Sequence, residues 1–134
     1  MGLLIDSCVF VRFERTQRAI PFTDFGTRDK TFVSAVTVSE MLVGMHMANT
    51  PERFARRKLV VESLVSHLGV LNFTVSTAYI HAGIVTKLHK IGSTIAANDA
   101  YIAATALEHG HSVLTLNFGE FERVPGLTVI RWGG

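Results

Sequence analysis

Three acidic residues, far apart in the chain, stand just past a predicted strand or in the first turn of a predicted helix. They are Asp6, Glu40 and Asp99. Asp6 directly follows the apolar run Leu3–Ile5, and the other two fall early in later helical stretches. In open α/β sheets, ligands bind in the crevice outside the carboxyl ends of the strands. The three acids are therefore candidates for one shared site that holds a metal or transfers protons.

Converging carboxylates repel one another and raise each other's pKa unless a cation neutralises them. Their oxygens are hard ligands that suit Mg²⁺ or Mn²⁺, with a substrate phosphate completing the coordination. A divalent cation in such a site lowers the pKa of a water molecule and stabilises charge on a phosphodiester under attack. Taken together, the acids predict metal-dependent hydrolysis of a nucleic acid.

Each acid also has a purely structural explanation. Asp6 could serve only as the N-cap of the following helix. Thr37 and Glu40 have the spacing of a capping box, which would give Glu40 a role without catalysis. Asn98 could cap a helix in which Asp99 is merely favoured by the helix dipole. The spacing of the residues leaves both explanations open for each acid.

Other groups that could do chemistry are less well arranged. The six histidines are scattered and lack a set of cysteine partners, which argues against a zinc site. The single cysteine, Cys8, has no local signature of a nucleophile, and we interpret it as a small core thiol. The chain has no glycine-rich phosphate loop.

The hydrophobic pattern predicts an α/β fold that would position the acids. Short apolar runs without alternation are typical of strands buried on both faces. Strands are predicted at residues 3–5, 31–35, 70–73, 112–116 and 127–132. Apolar stripes at helical spacing predict helices that start at Thr37, Thr50, Thr77 and Asn98, with Gly110 as a C-cap. This order predicts a mostly parallel central sheet flanked by helices.

Length and composition set the class of protein. The 134 residues fit a single domain spanning 1–134, and 48% hydrophobic against 18% charged residues suggests a well-filled core. No apolar run approaches the roughly 18 residues needed to span a bilayer, so we expect no membrane partner. One cysteine and no signal-type segment predict a cytoplasmic location.

The basic residues are a candidate surface for a nucleic acid. A net charge of +2 is too small to identify a nucleic-acid partner by itself. The placement of the arginines is more informative, because they form two clusters. The candidates for RNA contact are Arg12, Arg15, Arg53, Arg56 and Arg57. Each cluster could equally be a solvated helix face.

Four segments, in chain order, resemble PIN-domain ribonucleases, in particular the VapC-type toxins of toxin–antitoxin pairs. They are Leu4–Ser7, Val38–Gly44, Asn98–Ala106 and Thr115–Phe121, the last running into 124–127. The resemblance covers nearly the whole chain. It implies a three-layer PIN-like fold, Mg²⁺- or Mn²⁺-dependent cleavage of single-stranded RNA, and a homodimer. It also implies inhibition by a small VapB-like antitoxin whose tail enters the active site.

The resemblance also implies roles for individual residues. It makes Asp6, Glu40 and Asp99 the catalytic and metal-binding acids, and it places the Ser7 hydroxyl near the site. Cys8 is a departure, since the family commonly has asparagine or serine there.

A second departure concerns the number of metal ions. Asn117 stands where many members of the family have a fourth acid, although asparagine also occurs. This weakens a second metal site, for which Glu120 could compensate. The resemblance thus implies one metal ion firmly and a second only with the support of Asn117 and Glu120.

Two alternatives to a toxin remain compatible with the sequence. One is a PIN-fold nuclease of RNA processing without a toxin role, which a neighbouring antitoxin gene would separate from a toxin. The other is a catalytically silent module that binds RNA or protein. Loss of Asp6, Glu40 or Asp99 would favour the silent module, and all three are present.

Overall fold

A computed structural model of the chain describes residues 2–132. Its strands are β1 (Leu3–Ile5), β2 (Thr31–Ser34), β3 (Gly69–Leu71), β4 (Ser112–Thr115) and β5 (Val129–Arg131). Its α-helices are α1 (Ser7–Arg15), α2 (Phe22–Phe25), α3 (Ala35–His46), α4 (Pro51–His67), α5 (Val75–Lys90), α6 (Ala97–His109) and α7 (Phe118–Phe121). A single 3₁₀ turn, Arg28–Lys30, precedes β2 in this part of the chain.

The five described strands form one sheet in the order β3-β2-β1-β4-β5. Every neighbouring pair is parallel, with Leu4 of β1 in register with Phe32 of β2 and Val113 of β4. Parallel neighbours need crossover connections, which the helices provide. The α/β class is confirmed, and the sheet is entirely rather than mostly parallel over the described residues.

Helices cover both faces of this sheet, because successive side chains of a strand point to opposite sides. Leu4 and Val113 face α5, α6 and α7, where they pack with Ile84, Leu88, Ile102 and Phe121. Ile5 and Leu114 face α1, α3 and α4, where they pack with Phe10, Met41 and Leu64. The two cores explain why β1 and β4 are apolar at successive positions. The arrangement is the expected three-layer one.

Helix α6 lies close to the sheet because its inward face is made of small residues. Ala100, Ala103, Ala104 and Ala106 are all buried. The helix ends at Gly110, whose φ of 69° is left-handed and whose N–H bonds back to the last turn. The predicted C-cap is therefore confirmed.

The predicted start of α3 is wrong, because a hydroxyl earlier in the chain caps this helix. The Oγ atom of Ser34 accepts the N–H of Val36 at 3.1 Å, and the helix begins at Ala35. Thr37 therefore lies inside the first turn, and its buried hydroxyl has no hydrogen-bond partner among residues 2–132. The capping box between Thr37 and Glu40 does not form.

Two other helix starts also differ from expectation by a few residues. Helix α5 is capped by Thr74, and Thr77 is the third residue of a capping box formed by these two threonines. The N-cap position of α6 is Ala96 rather than Asn98. Thr50 caps α4 as predicted, with proline at the first helical position.

The two hydroxyls at the start of α3 should respond to substitution in opposite ways. Ser34→Ala should lower the free energy of unfolding by about 1 kcal/mol, because it removes the N-cap. Thr37→Val keeps the side-chain shape and removes an unpaired buried hydroxyl, so it should be neutral or slightly stabilising. Urea unfolding of both variants measures this. The reverse order of stability would place the cap at Thr37.

Candidate functional site

Asp6 joins the central strand to the first helix. Its N–H donates to the carbonyl oxygen of Leu114 at 3.0 Å, which extends the pairing of β1 with β4. Its Oδ1 atom accepts the N–H of Ser7 at 2.8 Å, as an N-cap. The residue is only 4% exposed. Asp6 therefore caps α1 and also places a buried carboxylate at the carboxyl end of the central strand.

The second oxygen of this carboxylate, Oδ2, is held from the neighbouring strand. It accepts the hydroxyl of Thr115 at 2.8 Å and the thiol of Cys8 at 3.2 Å. Burial first, and then the charge of Asp6, raises the pKa of the Cys8 thiol, which keeps the thiol protonated as a donor. The sequence predicts neither contact. The signal that could have indicated Thr115 is its position at the end of β4, the strand that lies beside β1.

Glu40 lies in the second turn of α3. Burial raises the pKa of Glu40 first of all and the charge of Asp6 raises it further, while the side chains of Asn98 and Ser7 lower it. Its Oε1 atom is buried and has no hydrogen-bond partner among the described residues. An unpaired buried carboxylate oxygen is costly unless a positive group or a proton compensates it.

Asp99 lies in the first turn of α6, and its environment is the most strongly perturbed of the three acids. Burial raises the pKa of Asp99 to about 7, together with the charges of Asp6, Glu120 and Glu40, in that order of importance. These mutual effects require that the acids lie near one another. The structure thus brings Asp6, Glu40 and Asp99 together, as the sequence predicts.

Asn117 and Glu120 lie at the same edge of the sheet, just beyond β4. Asn117 is exposed, and its N–H donates to the hydroxyl of Thr115 at 2.8 Å. The Oε1 atom of Glu120 accepts the N–H of Ala96 at 2.6 Å, and its Oε2 atom lies 3.6 Å from Arg123. Glu120 therefore holds the backbone just before α6, a helix that has no side-chain N-cap.

These acids fit a hydrated divalent cation. Among residues 2–132, no group of three or more His, Cys, Asp or Glu side chains is arranged to hold one metal ion directly. Mg²⁺ does not need such a group of direct ligands, because it usually keeps several waters and binds one or two carboxylates plus substrate phosphates. The unpaired Oε1 of Glu40 and the raised pKa of Asp99 both indicate excess negative charge. A cation would compensate this charge.

The arginines of the second cluster pair with groups of the protein itself. Arg56 and Arg57 lie 3.4 and 3.8 Å from the same oxygen of Glu14, a side chain of α1 that is 9% exposed. Arg57 also donates to the carbonyl oxygen of Gly44 at 2.6 Å. Arg56 and Arg57 therefore hold α4 against α1 and α3, and Arg53 bonds to Asn49 at 3.0 Å.

The first arginine cluster lies nearer to the acids. Arg12 and Arg15 are exposed in the last turns of α1. Arg15 and Glu40 line one groove of about 240 Å³, together with residues of α1, α3 and α4. The positive charge of the Arg15 side chain is thus placed beside the candidate site.

Comparison with known proteins identifies the family. A family model for the PIN domain matches residues 3–127. Ribonuclease VapC1 of Rickettsia felis is 32% identical over 130 residues, covering 97% of this chain and 96% of the relative. The tRNA(fMet)-specific endonuclease VapC of Salmonella typhimurium is 36% identical over 101 residues, covering 75% of this chain and 74% of that protein. The chain belongs to the PIN domain family and, within it, to the VapC ribonucleases.

Solved structures give the same result for the fold. A chain of the DNA-bound VapBC complex from Salmonella typhimurium superposes with a TM-score of 0.86 at 26% identity, over 98% of both chains. A chain of VapBC2 from Rickettsia felis, bound to a promoter DNA fragment, gives a TM-score of 0.85 at 19% identity and covers 98% of this chain and 99% of its own length. The three-layer PIN fold is therefore confirmed.

Over the described part of the chain, none of the helices combines the length and the apolar character that crossing a bilayer requires.

The raised pKa values predict how the metal-free protein responds to pH. Between about pH 4 and 7 the folded state binds more protons at Asp99 than the unfolded chain does, so the free energy of unfolding falls as pH rises through this range. The expected loss is on the order of 1 kcal/mol, because Asp99 is only partly buried and solvent screens its charge. Thermal unfolding in EDTA from pH 5 to pH 8 measures it.

Two variants serve as the controls for this pH effect. Asp99→Asn should remove most of the pH dependence and should be at least as stable as the wild type at pH 8. Asp24→Asn, at an exposed acid of α2, should leave the dependence unchanged. An Asp99→Asn protein with the same pH dependence as the wild type would contradict the crowding of the acids, because His111, whose pKa is lowered by burial, changes stability in the opposite direction in both proteins.

Proposed function

We propose that the chain is a Mg²⁺- or Mn²⁺-dependent endoribonuclease that hydrolyses phosphodiester bonds of single-stranded RNA, and that it is the toxin of a toxin–antitoxin pair. The observation that carries this proposal is the gathering of Asp6, Glu40 and Asp99 at the carboxyl edge of the parallel sheet, with one buried carboxylate oxygen unpaired. Family membership supports the reaction class, since the VapC relatives are named as ribonucleases.

In this proposal the residues of the site have separate roles. Asp6, Glu40 and Asp99 hold the cation, and the side chains of Ser7 and Asn98 orient Glu40. When bound, the cation lowers the pKa of a water molecule and stabilises the charge that develops on the phosphodiester. Asn117, at the end of β4, and Glu120, whose charge acts on Asp99, are the candidates to support a second cation.

Arg15 is the arginine we assign first to the RNA backbone, because it lines a groove with Glu40 and, unlike Arg57 of the same groove, forms no ion pair with Glu14. Arg12, one turn earlier in α1, and Arg53, at the start of α4, are exposed and extend the basic surface. Arg56 and Arg57 are positioned by Glu14, and their partly exposed side chains remain candidates for RNA contact. Phosphate contacts of this kind position RNA without reading its sequence.

Cleavage of a labelled single-stranded RNA tests the reaction. Purified protein, with Mn²⁺ or Mg²⁺ titrated in, should cut the RNA, and EDTA should stop the cutting. Asp6→Asn should lower the rate on the order of 100-fold or more, since even an outer partner of a metal ligand costs about 10- to 100-fold when removed. The matched control, Asp24→Asn, should cut like the wild type.

Two results would contradict the proposed reaction. Cutting that survives EDTA, or that survives Asp6→Asn, would mean that the acids do not hold a catalytic cation. Well-folded protein that cuts none of several RNAs would favour the silent binding module.

The partner proposed for the toxin role is a small antitoxin, as in the VapBC complexes of structural relatives. The structure offers it a groove of about 560 Å³ between α1, α2 and α4. The apolar lining includes Phe13, Ile20, Phe22, Leu59 and Val60. Leu59, which is 65% exposed, adds to this apolar lining, and contiguous exposed apolar surface marks sites of interaction.

Co-expression with the product of a neighbouring gene tests this partner. That product should co-purify with the chain and inhibit RNA cleavage. Leu59→Glu should weaken the complex at least tenfold, because it places a charge in an apolar contact, and should leave cleavage unchanged. Val85→Glu, at an exposed position of α5, is the control that should bind normally. If no neighbouring product inhibits the chain, the processing nuclease is favoured instead.

A further inference from the structure

The hydrogen bonds at Asp6 are distributed unequally between its two oxygens. A carboxylate has about four lone-pair positions, two on each oxygen. At Oδ2 both are used, by the hydroxyl of Thr115 at 2.8 Å and by the thiol of Cys8 at 3.2 Å. At Oδ1 only one is used, by the N–H of Ser7 at 2.8 Å. The one position left on Asp6 is therefore on Oδ1.

The two donors at Oδ2 are themselves fixed to the end of β4. Thr115 is fully buried, and its oxygen accepts the N–H of Asn117 at 2.8 Å. The sulfur of Cys8 accepts the N–H of Leu116 at 3.3 Å. The thiol and the hydroxyl lie 3.4 Å apart. Each donor thus has a second bond to the backbone or to a side chain of the neighbouring strand end, so rotation of the Asp6 carboxylate would break several hydrogen bonds at once.

We propose that Cys8 and Thr115 clamp Oδ2 of Asp6 and thereby leave Oδ1 as the oxygen that binds the cation. Both are positioning residues, because they act on the cation only through Asp6. The inference rests on the proposed function, since it concerns how that site binds its metal. It assigns a role in the site to Cys8, which the sequence places only in the core.

The clamp predicts a specific pattern of cation affinities. Cys8→Ala removes one donor, so Oδ2 gains a free position and the carboxylate loses part of its fixed orientation. Loss of such an outer partner typically weakens metal binding about 10- to 100-fold. Cys8→Ser keeps a donor at nearly the same place and should restore the affinity to within about threefold. Thr115→Val removes the other donor. The double variant Cys8→Ala/Thr115→Val should lose less binding free energy for the cation than the two single variants lose in sum, because both donors act on one oxygen.

Calorimetric titration with Mn²⁺ in the absence of RNA tests the clamp. The proteins compared are the wild type, Cys8→Ala, Cys8→Ser, Thr115→Val and the double variant. Thermal unfolding in EDTA measures the stability of each metal-free protein. Val124→Ala is the control for stability, because it trims a buried side chain in the core on the other face of the sheet. It should lower the Tm without changing the Mn²⁺ affinity.

The outcomes separate the clamp from the proposed function. The clamp is supported if Cys8→Ala loses affinity for Mn²⁺ and Cys8→Ser retains it. In that case Cys8→Ala should also change the Tm less than Val124→Ala does. A Cys8→Ala protein that binds Mn²⁺ like the wild type overturns the clamp and leaves the nuclease intact. A wild type that binds no Mn²⁺ and cuts no RNA overturns the proposed function, and the clamp with it.

Discussion

Repulsion between carboxylates at one edge of the sheet is the constraint that the rest of the structure must withstand. Asp6, Glu40 and Asp99 come from three different elements, and the charge of Asp6 raises the pKa of each of the other two. Without a cation this arrangement destabilises the folded state. The two apolar layers that cover the sheet supply the stability that keeps the acids together.

The fold and the three acids were predictable because they follow from short-range patterns. Leu4 and Ile5 are both apolar, which indicates a strand covered on both faces, and each proved to face a different core. An acid directly after such a strand must lie at its carboxyl end. Parallel strands bring these ends to one edge, so residues far apart in sequence become neighbours without any knowledge of side-chain contacts.

The parts that the sequence did not predict depend on long-range contacts. Thr115 reaches Asp6 only because β4 pairs with β1, and Cys8 joins the same network across the two strand ends. The N-cap at Ser34 was not predicted, because Thr37, three residues later, offers a hydroxyl with the spacing of a capping box. The ion pairs of Arg56 and Arg57 with Glu14 on another helix are likewise long-range contacts that the spacing of the arginines does not indicate.

The proposed metal centre is tested most directly by the position of a bound Mn²⁺ ion in crystals of the wild-type protein, located by its anomalous scattering. We expect a peak bonded to Oδ1 of Asp6 and adjacent to Glu40 or Asp99, with waters completing the coordination. An ion bound elsewhere, with the three acids well ordered and free of metal, would contradict the claim that these carboxylates form the metal centre.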